Sequence, residues 1–161
     1  MSSRYSRILA LGLGLAAPVA LAGSPAAKPA VKLDCPAGTT QWSNSEGLAR
    51  CVKPGKGLGV QHGPAKVYRA DGTLEAEGQY ADGLKTGTWV IYDAQGRRSE
   101  VIDFKGNNYH GKRVTLSPAG KPVRVEEYAE GLRHGVSREY DAQGKVVREA
   151  HYERDQLKKA Q

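Results

Sequence analysis

Glycines and aromatic residues recur along this chain at a fixed interval. The pair His62-Gly63 returns 24 residues later as Thr86-Gly87, and the interval holds twice more. The glycines that recur at this 24-residue interval are Gly63, Gly72, Gly87, Gly96, Gly111, Gly120, Gly135 and Gly144. Large residues recur at the same interval in two positions of the repeat, which we call slots. The first slot holds Tyr68, Tyr92, Leu116 and Tyr140, and the second holds Tyr80, Phe104, Tyr128 and Tyr152. Such self-similarity indicates four structural repeats, which we place at 62–85, 86–109, 110–133 and 134–157.

Each copy has the pattern of a β-hairpin. In the first copy a strand near 65–68 precedes the turn 69–72, and a second strand runs from about Thr73 to Tyr80. Glycine supplies the positive φ that a tight hairpin turn requires, and β-branched and aromatic residues favour strands. A further reversal at 81–87 separates the copies. The sequence therefore predicts an all-β fold, an elongated antiparallel β-meander of four 24-residue hairpin repeats with about eight strands.

Stacked copies place equivalent side chains in registered rows. We therefore expect each of the two slots to form a row of apolar side chains across the sheet. Cross-strand aromatic contacts contribute roughly 0.2–1 kcal/mol per pair. A flat sheet held in this way needs few aliphatic residues.

The residues that carry this pattern resemble a known family. The string from Tyr80 to Tyr92, YADGLKTGTWVIY, followed by Gly96, is similar to the MORN repeat, specifically the bacterial variant often labelled as the antitoxin component of toxin–antitoxin pairs. The resemblance covers 62 to about 152 and implies a non-catalytic repeat protein. The pattern departs from the family at Leu116, which replaces an aromatic residue, and at 153–155, where the glycine is missing, so the last copy resembles a degenerate cap.

The first residues have the pattern of a secretory signal peptide. Two arginines precede a 14-residue apolar run from Ile8 to Leu21, which ends before Gly23. We expect cleavage after Ala22 and a periplasmic or extracellular protein, with an uncleaved membrane anchor as the alternative. A Pro/Ala-rich linker is expected at 23–34.

The two cysteines lie in a short segment at 35–61, ahead of the repeats. In an exported chain, Cys35 and Cys51 are expected to form one intramolecular disulfide. The alternative interpretation is reactive thiol chemistry or metal binding. The segment also resembles the module that precedes such repeats in exported bacterial proteins.

Composition limits the size of the hydrophobic core. Leu, Val, Ile and Phe total 30 of 161 residues, roughly 19%, which is too few for a large enzyme core. The net charge of +7 is modest, and eight tyrosines argue against disorder. The repeat resolves this shortage, because registered aromatic rows replace a thick core and leave an elongated, shallow sheet.

The sequence offers no arrangement of residues that indicates catalysis. It has no Gly-x-Ser-x-Gly elbow, no His-Glu-x-x-His and no phosphate-binding loop. His62, His110 and His134 come from copies two strands apart, about 9–10 Å, which is too far for one metal ion, so we interpret them as turn residues beside glycine. We expect no enzyme activity, no cofactor and no metal site, and the dispersed basic residues give no support for nucleic-acid binding.

Two functions remain open from the sequence. The first is a protein-binding module, with an antitoxin or immunity role included, that acts on an exported or envelope protein. The second is binding to anionic lipid or a cell-wall polymer. The candidate binding surface consists of Trp89, Arg98, Arg124 and Arg148. Trp89 has a second interpretation, local packing with Val90 and Ile91.

Overall fold

A computed structural model describes residues 31–161. The predicted signal peptide and its cleavage point, and the linker as far as residue 30, lie outside the described residues. From 31 onward the chain forms eleven strands and no helix. The strands are β1 (Thr40–Ser43), β2 (Leu48–Lys53), β3 (Val60–Tyr68), β4 (Leu74–Ala81), β5 (Leu84–Tyr92), β6 (Arg98–Lys105), β7 (Asn108–Leu116), β8 (Pro122–Ala129), β9 (Leu132–Tyr140), β10 (Val146–Glu153) and β11 (Gln156–Ala160).

All eleven strands belong to one antiparallel sheet. Each strand pairs with the next in sequence, from β1 at one edge to β11 at the other. The predicted all-β meander is confirmed, and the eight strands of the four repeats are β3 to β10. The sheet is longer than expected, because the cysteine-containing segment adds β1 and β2 and the chain after the fourth repeat adds β11.

The turn within each repeat is a three-residue loop. In the second repeat the Asp93 amide donates to the Arg97 carbonyl (2.8 Å), and the Gly96 amide donates back to the Asp93 carbonyl (3.0 Å). Gly96 has a φ of 75°, a conformation that glycine adopts without steric cost. The same pattern of backbone hydrogen bonds recurs in the other three repeats, which explains the glycines spaced at 24 residues.

The turns between hairpins have two central residues, both with positive φ. This is the type I′ geometry, whose twist matches that of the flanking strands. The pairs are Asp82-Gly83, Gly106-Asn107, Glu130-Gly131 and Arg154-Asp155. The last pair contains no glycine, yet it makes the same reversal and leads into β11. The fourth repeat therefore forms this turn even though its sequence lacks the glycine found in the other repeats.

The N-terminal segment has a small core of its own. Cys35 and Cys51 form the predicted disulfide, with Cα atoms 5.5 Å apart. Cys51 is buried in one cluster with Leu33 and Ala49, and Cys35 packs against this cluster. A disulfide of this kind indicates an oxidising, non-cytoplasmic compartment.

The two faces of the sheet differ in chemistry. We call the face that carries Trp89 the front face and the opposite face the back face. On the back face four valines lie in register on four successive strands, and all four are half-buried. This valine row consists of Val90, Val101, Val114 and Val125.

Candidate functional site

A single row of side chains crosses the front face and changes character halfway. Trp89 pairs with Ile102 on the next strand, and Ile102 pairs with Arg113. Arg113 in turn pairs with Glu126, and the row continues through Ser137 to Ala150. We call this set the central row. Its first part is apolar, and its part beyond Ile102 is mostly polar.

Trp89 fills the apolar part of the central row. Its side chain is 1% exposed and packs with Ala65 and Ala76. The indole N–H donates to the backbone carbonyl of Gln79 (3.1 Å), so its polar atom is also satisfied. Trp89 is therefore not part of the accessible surface, and its place among the candidate binding residues was wrong. The packing interpretation is confirmed for Ile91, whereas Val90 lies on the back face.

A series of edge-to-face aromatic contacts runs beside the central row. Tyr80 contacts Trp89 with ring centroids 5.2 Å apart, and Trp89 contacts Phe104 at 6.3 Å. Phe104 contacts Tyr109 at 5.1 Å, and Tyr109 contacts Tyr128 at 5.2 Å. The predicted row of Tyr80, Phe104 and Tyr128 thus exists, but its members are joined by rings that do not follow the 24-residue interval.

At the end of the third repeat an arginine takes the place of a linking ring. Arg133 stands 24 residues after Tyr109 and pairs with Tyr128 across the strands. Its guanidinium carbon lies 4.1 Å from the centroid of the Tyr152 ring. The series therefore ends in a cation–π contact, which adds a fixed positive charge to this end of the front face.

A polar pocket of about 160 Å³ lies on the front face near this arginine. Its floor comes from the central row, where Ser137 and Ala150 are too small to fill the space that Trp89 and Ile102 occupy in the second repeat. Glu126 completes the floor. The lining residues are Arg124, Glu126, Arg133, Ser137, Glu139, Arg148, Ala150 and Tyr152.

One wall of this pocket is a row of three charged side chains. Glu139 pairs with Arg124 on one neighbouring strand and with Arg148 on the other. The Oε1 atom of Glu139 lies 3.0 Å from Arg124 Nη2 and 3.9 Å from Arg148 Nη1. The side chains of Arg124 and Arg148 are 50% and 58% exposed, so the guanidinium groups form an open rim.

The opposite wall contains Arg133 and Tyr152. Arg133 Nε donates to Asp155 Oδ1 (2.9 Å), a contact that raises the pKa of Arg133 and lowers that of Asp155. Burial, together with the charge of Glu126, raises the pKa of the neighbouring Tyr128 phenol. These groups therefore keep their charge states at neutral pH, with the arginine charged and the phenol neutral.

The structure brings together two of the predicted binding residues. Arg124 and Arg148 meet on either side of Glu139, whereas Arg98 lies at the start of β6, paired with Tyr92, and does not line the pocket. Sequence reasoning missed Arg133, Glu126 and the other lining residues. The 24-residue interval does link Arg124 to Arg148, but the pairing of both with Glu139 depends on strand register.

The three repeat histidines lie within strands β3, β7 and β9. The expectation that they are turn residues was wrong. His62 Nδ1 accepts a hydrogen bond from the Asp82 amide (3.3 Å), and His110 Nδ1 accepts one from the Glu130 amide (3.4 Å). These two imidazoles therefore support the turns between hairpins. Within residues 31–161, no three His, Cys, Asp or Glu side chains converge as metal ligands would.

The glycines beside the histidines make room for side chains from the neighbouring strand. A Cβ atom at Gly135 would overlap the carboxylate of Glu127, which accepts the Val136 amide (2.9 Å). Asp103 and Gly111 repeat this arrangement one hairpin earlier, with the Lys112 amide as donor (3.0 Å).

Two of the four repeats match a known family model. The model described as MORN repeat variant matches residues 61–82 and 133–154, which correspond to the first and fourth repeats. MORN repeats are generally non-catalytic binding repeats. No curated protein gives a significant match to the chain.

Solved structures with a similar arrangement are distant. A mutant of TarM from S. aureus, crystallised with fondaparinux, alpha-GlcNAc-glycerol and UDP, has a TM-score of 0.40 at 17% identity, over 75% of this chain and 21% of that one. A glycosylation-associate protein complex from Streptococcus agalactiae has a TM-score of 0.44 at 14% identity, over 72% and 22%. The chain spans about a fifth of the length of these relatives. In the described part of the chain, no helix is long and apolar enough to cross a bilayer.

Proposed function

We propose that this chain is an exported, non-catalytic protein-binding module whose partner docks on the valine row of the back face. The observation that carries the proposal is the position of these valines on a single-layer sheet. Val90, Val101, Val114 and Val125 form a continuous apolar strip on strands β5 to β8. No other strand of the described chain packs over it, since all eleven belong to the one sheet.

Charged pairs border this strip at both ends. Lys66 and Glu77 (3.4 Å) continue the row toward β3, and Arg138 and Glu149 (2.7 Å) continue it toward β10. An apolar centre with a charged rim is the usual arrangement of a protein–protein interface. Because the chain carries 24 basic and 17 acidic residues, the chemistry favours an acidic partner.

An antitoxin or immunity role is the specific form of this function that we propose. In that role the sheet would cover the active site of an exported enzyme. The support comes from the match of two repeats to the MORN repeat variant and from the disulfide, which is typical of chains in an oxidising compartment.

The experiment is site-specific photo-cross-linking of the secreted, oxidised protein. A benzoylphenylalanine at Val101 should give a stoichiometric cross-link to one partner, and the double substitution Val101→Thr, Val114→Thr should weaken binding of that partner at least about tenfold. Val147→Thr is the matched control, because Val147 is 60% exposed and lies outside the strip. Equal loss with the control, or no cross-link from the strip, would contradict the proposal.

The immunity role has a separate readout. If it is correct, the cross-linked partner is an enzyme whose activity falls when the wild-type protein is added and is retained with the double variant. A partner that binds the strip without loss of activity would leave the binding module intact and remove the immunity role.

A further inference from the structure

The polar pocket of the front face has the size of one six-membered ring. Its volume is about 160 Å³, and a protein cavity of about 150 Å³ is known to hold benzene. It exists because Ser137 and Ala150 stand in the two slots that Trp89 and Ile102 fill in the second repeat. Its rim is open, so a ligand could enter without rearrangement of the sheet.

The lining charges favour a single negative charge on the ligand. Arg133 is paired with Asp155, whereas Arg124 and Arg148 share the single carboxylate of Glu139, which leaves one positive charge at the rim. Each guanidinium has five N–H donors, and the ion pairs of Arg124 and Arg148 both end on one oxygen of Glu139. Most of the donors at the rim therefore remain open to a carboxylate. A phosphate group, which carries about −1.5 to −2 charges at neutral pH, would exceed the balance.

The floor of the pocket requires hydrogen-bond donors. Glu126 is 9% exposed, and within residues 31–161 its carboxylate has no hydrogen bond or ion pair. Its cross-strand neighbour Arg113 is directed to Glu100 instead, through a bidentate contact in which Nη2 donates to Oε1 (2.8 Å) and Nε donates to Oε2 (3.2 Å). The carboxylate oxygens keep access to solvent through the pocket, so hydroxyl groups of a ligand can reach them and donate to them.

We propose that this pocket binds one sugar acid, a six-membered ring that carries hydroxyl groups and a single carboxylate. The carboxylate accepts hydrogen bonds from the N–H groups of Arg124 and Arg148 that Glu139 leaves free, and hydroxyl groups donate to Glu126 at the floor. Neither a neutral sugar nor a simple carboxylate satisfies both requirements. The site is on the front face and is independent of the protein-binding surface proposed for the back face.

The test is a nuclear magnetic resonance titration of the full exported protein, with its disulfide intact, using D-galacturonate as the probe. We expect saturable shifts of the Arg124 and Arg148 Nε–Hε signals and of the Ser137 and Ala150 amides. D-galactose lacks the carboxylate and acetate lacks the ring, and each should bind at least about tenfold more weakly. Absence of saturable shifts, equal binding of acetate, or equal binding of galactose 1-phosphate would overturn the proposal.

Two variants locate the site. Ser137→Trp places in the pocket the residue that fills the equivalent slot in the second repeat, and it should abolish the saturable shifts. Arg148→Gln changes an exposed side chain and should preserve the fold. It should weaken binding about tenfold, so it tests the location of the site even if the tryptophan variant fails to fold. Arg98→Gln removes an exposed arginine outside the pocket and should leave affinity unchanged. Binding that survives Arg148→Gln without loss contradicts the proposed site.

A polymer identifies the source of the ligand. Polygalacturonate that binds more tightly per ring than the monomer would assign the site to an acidic polysaccharide. Equal affinity per ring would assign it to the free sugar acid. Both results support the same ligand chemistry.

Discussion

The indole of Trp89 lies directly over Gly78. A Cβ atom at position 78 would overlap the five-membered ring of the indole at Cγ, Cδ2 and Cε2, so only glycine leaves space for this ring. Gly78 stands 24 residues before Ile102, and no other repeat has a glycine at this position. The largest buried side chain of the described molecule therefore depends on the absence of a side chain on the adjacent strand.

Gly78→Ala should destabilise the sheet by about 1–3 kcal/mol, because the indole must move from a closely packed position. The measurement is the free energy of unfolding in denaturant, taken on the oxidised protein. Gly55→Ala is the matched control, since the nearest atom to its added Cβ would be the Gly59 Cα at 3.7 Å, an ordinary contact. Equal stability of the two variants would show that Trp89 does not need the space.

Tyr109 should be energetically coupled to Phe104. The two rings meet edge to face at 5.1 Å, and such pairs contribute about 0.5–1.5 kcal/mol beyond area burial. A double-mutant cycle with Tyr109→Leu and Phe104→Leu measures this coupling directly. A coupling energy indistinguishable from zero would mean that the aromatic series consists of independent side chains.

Removal of the disulfide should loosen the N-terminal edge of the sheet. Replacing both Cys35 and Cys51 by alanine should cost about 2–5 kcal/mol in that segment, because the disulfide restricts the unfolded chain and Cys51 is buried in the local core. Amide hydrogen exchange should accelerate in β1 and β2, while Val114 in β7 should remain protected. Uniform acceleration across all strands would contradict a local effect.

Acid should weaken the edge of the sheet formed by β10 and β11. Hydrogen bonds from Arg138 lower the pKa of Glu149 below its ordinary value of 4.5, and those from Arg133 lower the pKa of Asp155 below 3.8. A carboxylate with a lowered pKa stabilises the fold above its ordinary value, and that contribution is lost as the pH falls through the folded-state pKa. After correction for the intrinsic exchange rate at each pH, the protection of the amides in β10 and β11 should therefore fall as the pH drops below about 4.5, and fall further below about 3.8.

Asp155→Asn supplies the control for this pH dependence. The amide cannot ionise, so the variant should show a smaller change in β11 exchange over the same pH range. Strand β7, which contains no Asp or Glu, serves as the internal reference. An unchanged pH profile in the variant would assign the effect to other carboxylates.

The repeat spacing was sufficient to predict the eight central strands. Glycine at a fixed offset determines the turn in each hairpin, so the intervals of Gly72 and Gly96 translate directly into strand boundaries. The same reasoning missed β1 and β2, which lie outside the periodic part. It also missed β11, which begins 24 residues after the start of β9 but extends past the fourth repeat and pairs with the edge strand β10.

The candidate site was less accessible from sequence. Its composition depends on cross-strand register, and each hairpin contains register shifts that linear spacing does not reveal. Tyr109, Arg133 and Ser137 belong to slots whose residues change from one repeat to the next, so periodicity gives no signal for them. Trp89 was placed on the surface for a related reason, since the glycine that accommodates it lies on another strand.

The order of strands in the meander also makes the two edges of the sheet differ in their expected resistance to mechanical force. The first and last strands of the described chain are at opposite edges of the sheet, and every interior strand is held only by its sequence neighbours. The Cys35–Cys51 bond fastens the first edge covalently, whereas every residue of β11 is exposed at the other. Tension between the ends should therefore peel strands one at a time from β11 inward, and single-molecule pulling of oxidised and reduced protein would show whether the order of rupture changes when the bond at the first edge is broken.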